Sequence, residues 1–246
     1  MILSLFPGAG LLDTAFEREG FCVVRGPDLL WGGDVRSFHP PPGCFEGVIG
    51  GPPCQAFSWL RHFMSTEVPR YNLIPEFERC VAEASPTWFL MENVVRAPAP
   101  VVPGYTAHRF ILQNRHLGQE QSRARAWAFG VQGTEGKDLR RWIEWAPLYS
   151  IDRAQTVTSA HAGEPIGDRG TGRISRYTVA EALRLQGYPQ DFFGQRSPFK
   201  EEAKLRMIAE GVPLPMGLAV ARAVHAAVES TTKVVNRVGS AGRLTP

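Results

Sequence analysis

Cysteine is scarce: four in 246 residues, at positions 22, 44, 54 and 80, with no CxxC spacing. That pattern builds neither a zinc site nor a disulfide framework, so no metal centre is expected. It suits a reducing compartment, and Cys22 and Cys80 read as small buried hydrophobes. Long apolar runs are missing as well; no stretch approaches the roughly 20 residues that span a bilayer. Met1 leads straight into Ile2-Leu3-Ser4-Leu5-Phe6 with no basic lead and no small-residue cleavage site. A signal peptide is therefore not expected, and the expected location is cytoplasmic. Charge of one sign is thin: the formal net charge is +3, which permits nucleic-acid binding without arguing for it. There is no internal repeat and no low-complexity segment.

What is present suits a globular enzyme. Hydrophobic residues make up 43% and charged residues 21%, enough to fill one large domain, or one domain and a small lobe. The first half alternates short apolar runs with helical patterns, the signature of βαβ units. Ile2 to Phe6 reads as a buried strand, Gly8-Ala9-Gly10 as a tight turn and Leu11 to Glu19 as a helix. Cys22 to Val24, Gly47 to Ile49 and Trp88 to Met91 read as further strands, and Ala124 to Val131 as a later one. Pro75 to Ala84 has helical periodicity, with proline at its start. The expected fold is α/β, with a doubly wound, mostly parallel sheet.

From about Gln132 to Ile174 the pattern breaks into Gly, Trp and mixed charge, a small irregular lobe. Thr178-Val179-Ala180-Glu181 has capping-box spacing and opens a helix through Gln186. Pro215 to Val228 makes a final helix, and Thr231 to Pro246 reads as a loose tail. The expected division is a main domain over 1–131, the lobe over 132–175, a return to the main domain over 176–230, and the tail.

Gly50-Gly51-Pro52-Pro53-Cys54-Gln55 puts a thiol at the end of one apolar run, and Met91-Glu92-Asn93-Val94 a carboxylate at the end of another. If both runs are parallel strands, both groups reach the carboxyl edge of one sheet, where open α/β sheets bind ligands. A thiolate attacks electron-poor carbon, and a carboxyl group can hydrogen-bond or protonate the ring under attack. Two glycines and two prolines before Cys54 rigidify an exposed loop, which a core cysteine does not need. Phe6-Pro7-Gly8-Ala9-Gly10 suits close approach of a nucleoside cofactor, although a plain turn fits these residues equally well. Asp28 and Asp34 follow the second strand, where a carboxylate can hold ribose hydroxyls or an adenine amino group, or be solvated. Gln121-Ser122-Arg123-Ala124-Arg125 puts both arginines on one side of an extended segment, as a base-contacting pair or an exposed cationic strand.

The order of these motifs resembles that of the DNA (cytosine-5)-methyltransferases, through nearly the whole chain. Leu5 to Gly10 resembles their first cofactor motif, Gly33-Asp34-Val35 the adenine-binding turn, and Pro52-Pro53-Cys54-Gln55 the nucleophile loop. Glu92-Asn93-Val94 resembles the base-activating motif, and Gln121, Arg123 and Arg125 the Gln-x-Arg-x-Arg element. Arg176 to Glu181, with Arg184 to Pro189, resembles the late motif that braces the recognition lobe.

The resemblance implies a Rossmann-like class I methyltransferase sheet with a reduced target-recognition lobe. It implies methyl transfer from S-adenosylmethionine to C5 of a flipped-out cytosine in double-stranded DNA, with S-adenosylhomocysteine as product. A monomer is expected, a partner protein is left open, and so is the role among restriction-modification, epigenetic marking and viral self-protection. Cys54 would add to C6, Glu92 would engage N3 and the exocyclic amine, Arg125 would contact O2 and Arg123 would support the site. Phe6, Gly8, Ala9, Gly10, Leu11, Asp28, Asp34, Val35, Gly51, Pro53 and Leu73 would hold the cofactor. Gln55, Ser58, Arg61, Gln121, Arg140, Arg141 and Arg153 would meet DNA, within a loop from Gln55 to Tyr71 that also carries His62 and Arg70 and on the basic lobe. The same chemistry on RNA, or a catalytically silent DNA-binding homologue, would keep the same fold.

Three departures stand out. Pro27 holds the place of the usual acidic residue after the second strand, with Asp28 next. Ala209-Glu210 replaces the family's Gly-Asn pair, ahead of Gly211-Val212-Pro213. Thr156-Val157-Thr158 already resembles the lead-in to the late motif, which leaves only Gln132 to Asp152 for reading bases.

Overall fold

The computed structural model describes residues 1–53, 72–146, 157 and 177–241, with side chains through residue 230. Strand side chains point alternately to opposite faces, so a strand that is apolar throughout is one covered on both sides. β1 (Ile2–Leu5), β3 (Gly47–Gly50) and β4 (Trp88–Asn93) are buried at every position. Ile2, Ile49, Trp88 and Leu90 face one core cluster, whereas Leu3, Leu5, Val48, Phe89 and Met91 face another. α1 (Leu11–Arg18) and α5 (Leu214–Ala241) cover the first face through Phe16, Val220 and Val224. α2 (Ile74–Ala84) covers the second through Phe77, Val81 and Ala84.

The sheet order is β2-β1-β3-β4-β6-β5, with β2 at Val23–Arg25, β5 at Tyr105–Gln113 and β6 at Ala124–Gln132. β1 pairs in parallel with β2 and β3, and β3 with β4; β6 is antiparallel to both β4 and β5. Thus β6 alone runs against the rest, and the sheet is mostly parallel in strand direction. The chain leaves β1 toward β2 on one side and returns to β3 on the other. That reversal opens a crevice outside the carboxyl ends of β1 and β3.

A third cluster joins α3 (Val179–Leu185) and α4 (Glu201–Glu210) to Leu11 and Ala15 of α1. The capping box at its start is formed: Glu181 N–H donates to Thr178 Oγ1 at 3.2 Å and Thr178 N–H to Glu181 Oε2 at 2.8 Å.

The structure departs from the sequence expectations in several places. β5 and α4 have no counterpart in them: β5 is a half-exposed edge strand and α4 buries only Ile208 and Ala209. The expected loose tail continues the helix, since α5 runs through Ala241. Cys80 is buried but Cys22 is exposed. Residues 133–146 form a strap over the α5 face of the sheet. Leu139 and Ile143 are buried in the first core cluster, and Lys137 Nζ donates to Ala227 O of α5 at 2.5 Å. Ala146 N–H then reaches His116 O at 2.8 Å. Among the described residues no single helix is long and apolar enough to cross a membrane.

Candidate active site

A cavity of about 620 Å³ opens in the predicted crevice. The Phe6–Gly8 turn, Gly51 to Pro53, Glu92 and Asn93 line it from the sheet, and the start of α1 and end of α4 close its sides. A smaller pocket of about 90 Å³ adjoins it, sharing Phe6, Asp28 and Pro53 and adding Asp34, Val35 and Leu73. The turn is fastened from outside. Asp28 accepts from Gly8 N–H through Oδ2 and from Leu30 N–H through Oδ1, both at 2.8 Å. Trp31 Nε1 donates to Gly8 O at 2.8 Å. Phe6 itself sits at φ 56°, a left-handed conformation that a bulky residue adopts only where its surroundings hold it.

Of the expected cofactor residues, Phe6, Gly8, Ala9, Leu11, Asp28, Gly51 and Pro53 line the larger cavity, and Asp34, Val35 and Leu73 line the smaller pocket. Gly10 lines neither. It is the residue before α1 at φ 78°, and a Cβ there would lie 2.8 Å from the Arg25 guanidinium, so its role is in the turn. Asp34 is gripped by Arg36, Nη2 to Oδ2 at 2.6 Å, and this pair holds its carboxyl down at about 2.

Glu92 follows Trp88 and Leu90 on the same face of β4, so the strand delivers it to the cavity at the carboxyl edge. It is buried, and Arg125 Nε on the neighbouring β6 lies 2.7 Å from Glu92 Oε1. Burial raises the Glu92 carboxyl above its ordinary range; Arg125 and, behind it, Arg123 oppose that rise. Arg125 lines the cavity. Arg123 is instead a buried clasp, bonding Val157 O at 3.0 Å, Ala209 O at 2.5 Å and Gly211 O at 2.9 Å.

Asn93, next to Glu92 in the same motif, ties the two strand ends together. Its Nδ2 donates to Pro52 O at 3.1 Å, and its Oδ1 accepts Val94 N–H at 2.8 Å. The ends of β3 and β4 are thereby joined at the residue pair that leads into Cys54. Its signal in the sequence was only an amide next to a strand-end glutamate. Glu210, Met207 and Val212 also line the cavity, brought there from far along the chain.

The nucleic-acid residues fare differently. Cys54, Gln55, Ser58, Arg61 and Arg153, with His62 and Arg70, lie outside the described residues. Gln121 is fully buried and does not present its amide to a partner molecule. Arg140 and Arg141 are exposed on the strap and line neither pocket; Arg140 pairs with Asp138 at 2.7 Å.

The model of the C-5 cytosine-specific DNA methylase family matches residues 33–99. The chain is 27% identical over 224 residues to the type II methyltransferase M.DdeI of Desulfomicrobium norvegicum, a match covering 75% of this chain and 53% of that protein. It is 36% identical over 118 residues to M.AquIA of Picosynechococcus sp., covering 38% and 48% respectively. The chain thus spans about half the length of these curated relatives. The solved structure of S. pombe Dnmt2 methyltransferase aligns with a TM-score of 0.62 over 94% of this chain and 98% of that one, at 13% identity, a likeness of fold. The ordered motifs, the class I methyltransferase sheet and these matches together support the C-5 cytosine-specific DNA methylase family for this chain.

Proposed function

We propose that the chain transfers a methyl group from S-adenosylmethionine to C5 of cytosine in double-stranded DNA, as the modification enzyme of a restriction-modification pair. The observation that carries this reading is the convergence of Glu92, Arg125 and the stem of the Cys54 loop on one cavity with the Phe6–Gly8 turn.

The two joined pockets fit the cofactor. Phe6, Pro53 and Leu73 offer a flat apolar slot for adenine. Asp28 keeps lone pairs for ribose hydroxyls beyond its two backbone bonds. α1 begins without a side-chain cap, leaving N–H groups for a carboxylate. Bound there, the cofactor supplies an electrophilic methyl group on a sulfonium.

The chain's residues prepare the cytosine. A stacked base hides C6, so the target nucleotide must leave the duplex. The Cys54 thiolate then adds to C6, and the electron pair of the C5–C6 double bond becomes available at C5. A free thiol of pKa about 8.5 is mostly protonated at neutral pH, so the site must favour the thiolate. Glu92, its carboxyl shifted upward by burial and held by Arg125, is placed to hydrogen-bond N3 and the exocyclic amine as charge builds on the ring. Arg125 donates to O2. After methyl transfer the C5 proton leaves and the C6–S bond breaks, releasing Cys54. Gln55, Ser58, Arg61 and Arg153 are proposed to hold the DNA, and base reading falls to the loop from Gln55 to Tyr71 and to what the strap leaves of the stretch from Gln132 to Asp152.

Duplex DNA carrying 5-fluorocytosine tests the reading, because fluorine cannot leave C5 as a proton does. A denaturation-resistant adduct mapping to Cys54 is expected. Parallel assays with radiolabelled cofactor should label DNA and leave RNA unlabelled. Absence of an adduct, an adduct at another cysteine, or methylation confined to RNA would overturn it.

A further inference from the structure

We propose that Glu210 is the countercharge for the ammonium of the cofactor's amino-acid end, an inference that rests on the methyltransferase reading. Glu210 is the last residue of α4 and lines the larger cavity with Asp28 and Leu11. Its place is fixed from both sides, since the buried Arg123 guanidinium holds the carbonyls of Ala209 and Gly211. Gly211 abuts the start of α1: a Cβ on it would lie 2.0 Å from Leu11 Cδ1. Tyr188 Oη locks the same corner, 2.6 Å from Leu11 O and 3.0 Å from Val212 O. The carboxyl-terminal end of α4 and the amino-terminal end of α1 are therefore packed side by side at one wall of the cavity.

These two ends carry opposite partial charges. The uncapped N–H groups of α1 suit a carboxylate, and the Glu210 carboxylate, which lines the same cavity, suits an ammonium. An α-amino acid presents this pair of charges on one carbon. An anion at a helix carboxyl terminus is disfavoured by the macrodipole, and Asp28 adds like charge. Desolvation at the cavity wall pushes the Glu210 carboxyl above its ordinary range, Arg206 and Arg123 oppose the rise, and the residue stays open to whatever enters the cavity. A ligand cation is the partner this arrangement lacks. The family's Asn at this place would offer a neutral amide; Glu210 offers a full charge.

Calorimetry on the full chain with two ligands separates the outcomes. S-adenosylhomocysteine carries the amino-acid end, and 5′-methylthioadenosine lacks it. For Glu210→Gln, affinity for S-adenosylhomocysteine should fall about tenfold or more, as for loss of a charged hydrogen bond, while affinity for 5′-methylthioadenosine stays unchanged. Glu210→Asp should recover part of the loss. Equal binding of S-adenosylhomocysteine by wild type and Glu210→Gln, or equal losses for both ligands, would overturn the assignment. Failure of the wild-type protein to bind either ligand would overturn the methyltransferase reading beneath it.

Discussion

Arg123 and Arg125 stand two residues apart and do different work. Arg125 reaches the cavity and Glu92, whereas Arg123 turns into the core and holds three backbone carbonyls. Arg125→Met should lower kcat/KM on DNA by about a hundredfold, the usual scale for losing one donor to developing charge. Cofactor affinity, read by calorimetry, should be unchanged; a loss there would place Arg125 at the wrong ligand. Asp34 gives a test by titration. Its carboxyl pKa is depressed, so its pair with Arg36 exists above the ordinary carboxyl pKa and dissolves as pH falls toward about 2. The side-chain carboxyl carbon of Asp34 should therefore titrate near 2 by NMR, and move up toward the ordinary 3.8 in Arg36→Ala, where the backbone N–H of residue 36 still donates. A wild-type value near 4 would reject the pairing. Glu92 and the Gly51–Pro53 stem were legible in the sequence because each closes an apolar strand run. Asn93 and Glu210 stood out in the sequence as well, but their neighbours did not, because the Pro52 carbonyl and the cavity wall reach them from distant segments.

Among the elements, the clasp at Arg123 joins the entry to β6, Val157 and the end of α4. Arg123→Met would leave those carbonyls without this donor. At about 1–3 kcal/mol for each orphaned buried group, with partial relaxation, the expected loss is about 3 kcal/mol. Urea unfolding measures it, and a loss below 1 kcal/mol would mean the carbonyls find other partners. Thr178→Ala removes one half of the capping box on α3 and should cost about 1 kcal/mol. The elements that the sequence announced are those under uniform demand. β1, β3 and β4 are covered on both faces and read as apolar runs. β5, at the sheet edge, carries exposed His108, Arg109 and Ile111 among its apolar residues, so neither period dominates it. α4 hides for a similar reason, with only two buried residues to mark its inner face.

For the whole molecule, on the proposed function, the strap over residues 133–146 would narrow what is left for reading DNA. Leu139 and Ile143 are committed to the core, so base contacts must come from few residues. Each good bidentate base contact gives about 1–3 kcal/mol of discrimination. A short target, on the order of two to four base pairs, is expected, with phosphate contacts supplying much of the affinity. Methylation mapped in cells expressing the protein should show a short consensus, and activity should fall steeply with added salt. A strict site of six or more base pairs would show that recognition is placed on another element or a partner chain.

The face shared by α1 and α5 has a temporal consequence. Ile2 and Phe16 belong to the same core cluster as Val220, Val224 and Ala227. A ribosome extends a chain by roughly 5–20 residues per second, so α5 emerges on the order of ten to forty seconds after β1. Through that interval one side of the nascent sheet lacks its main cover and exposes apolar surface to whatever surrounds it. Early release or a stalled ribosome would leave that surface bare, and synthesis in extracts stripped of chaperones should favour aggregation over native enzyme.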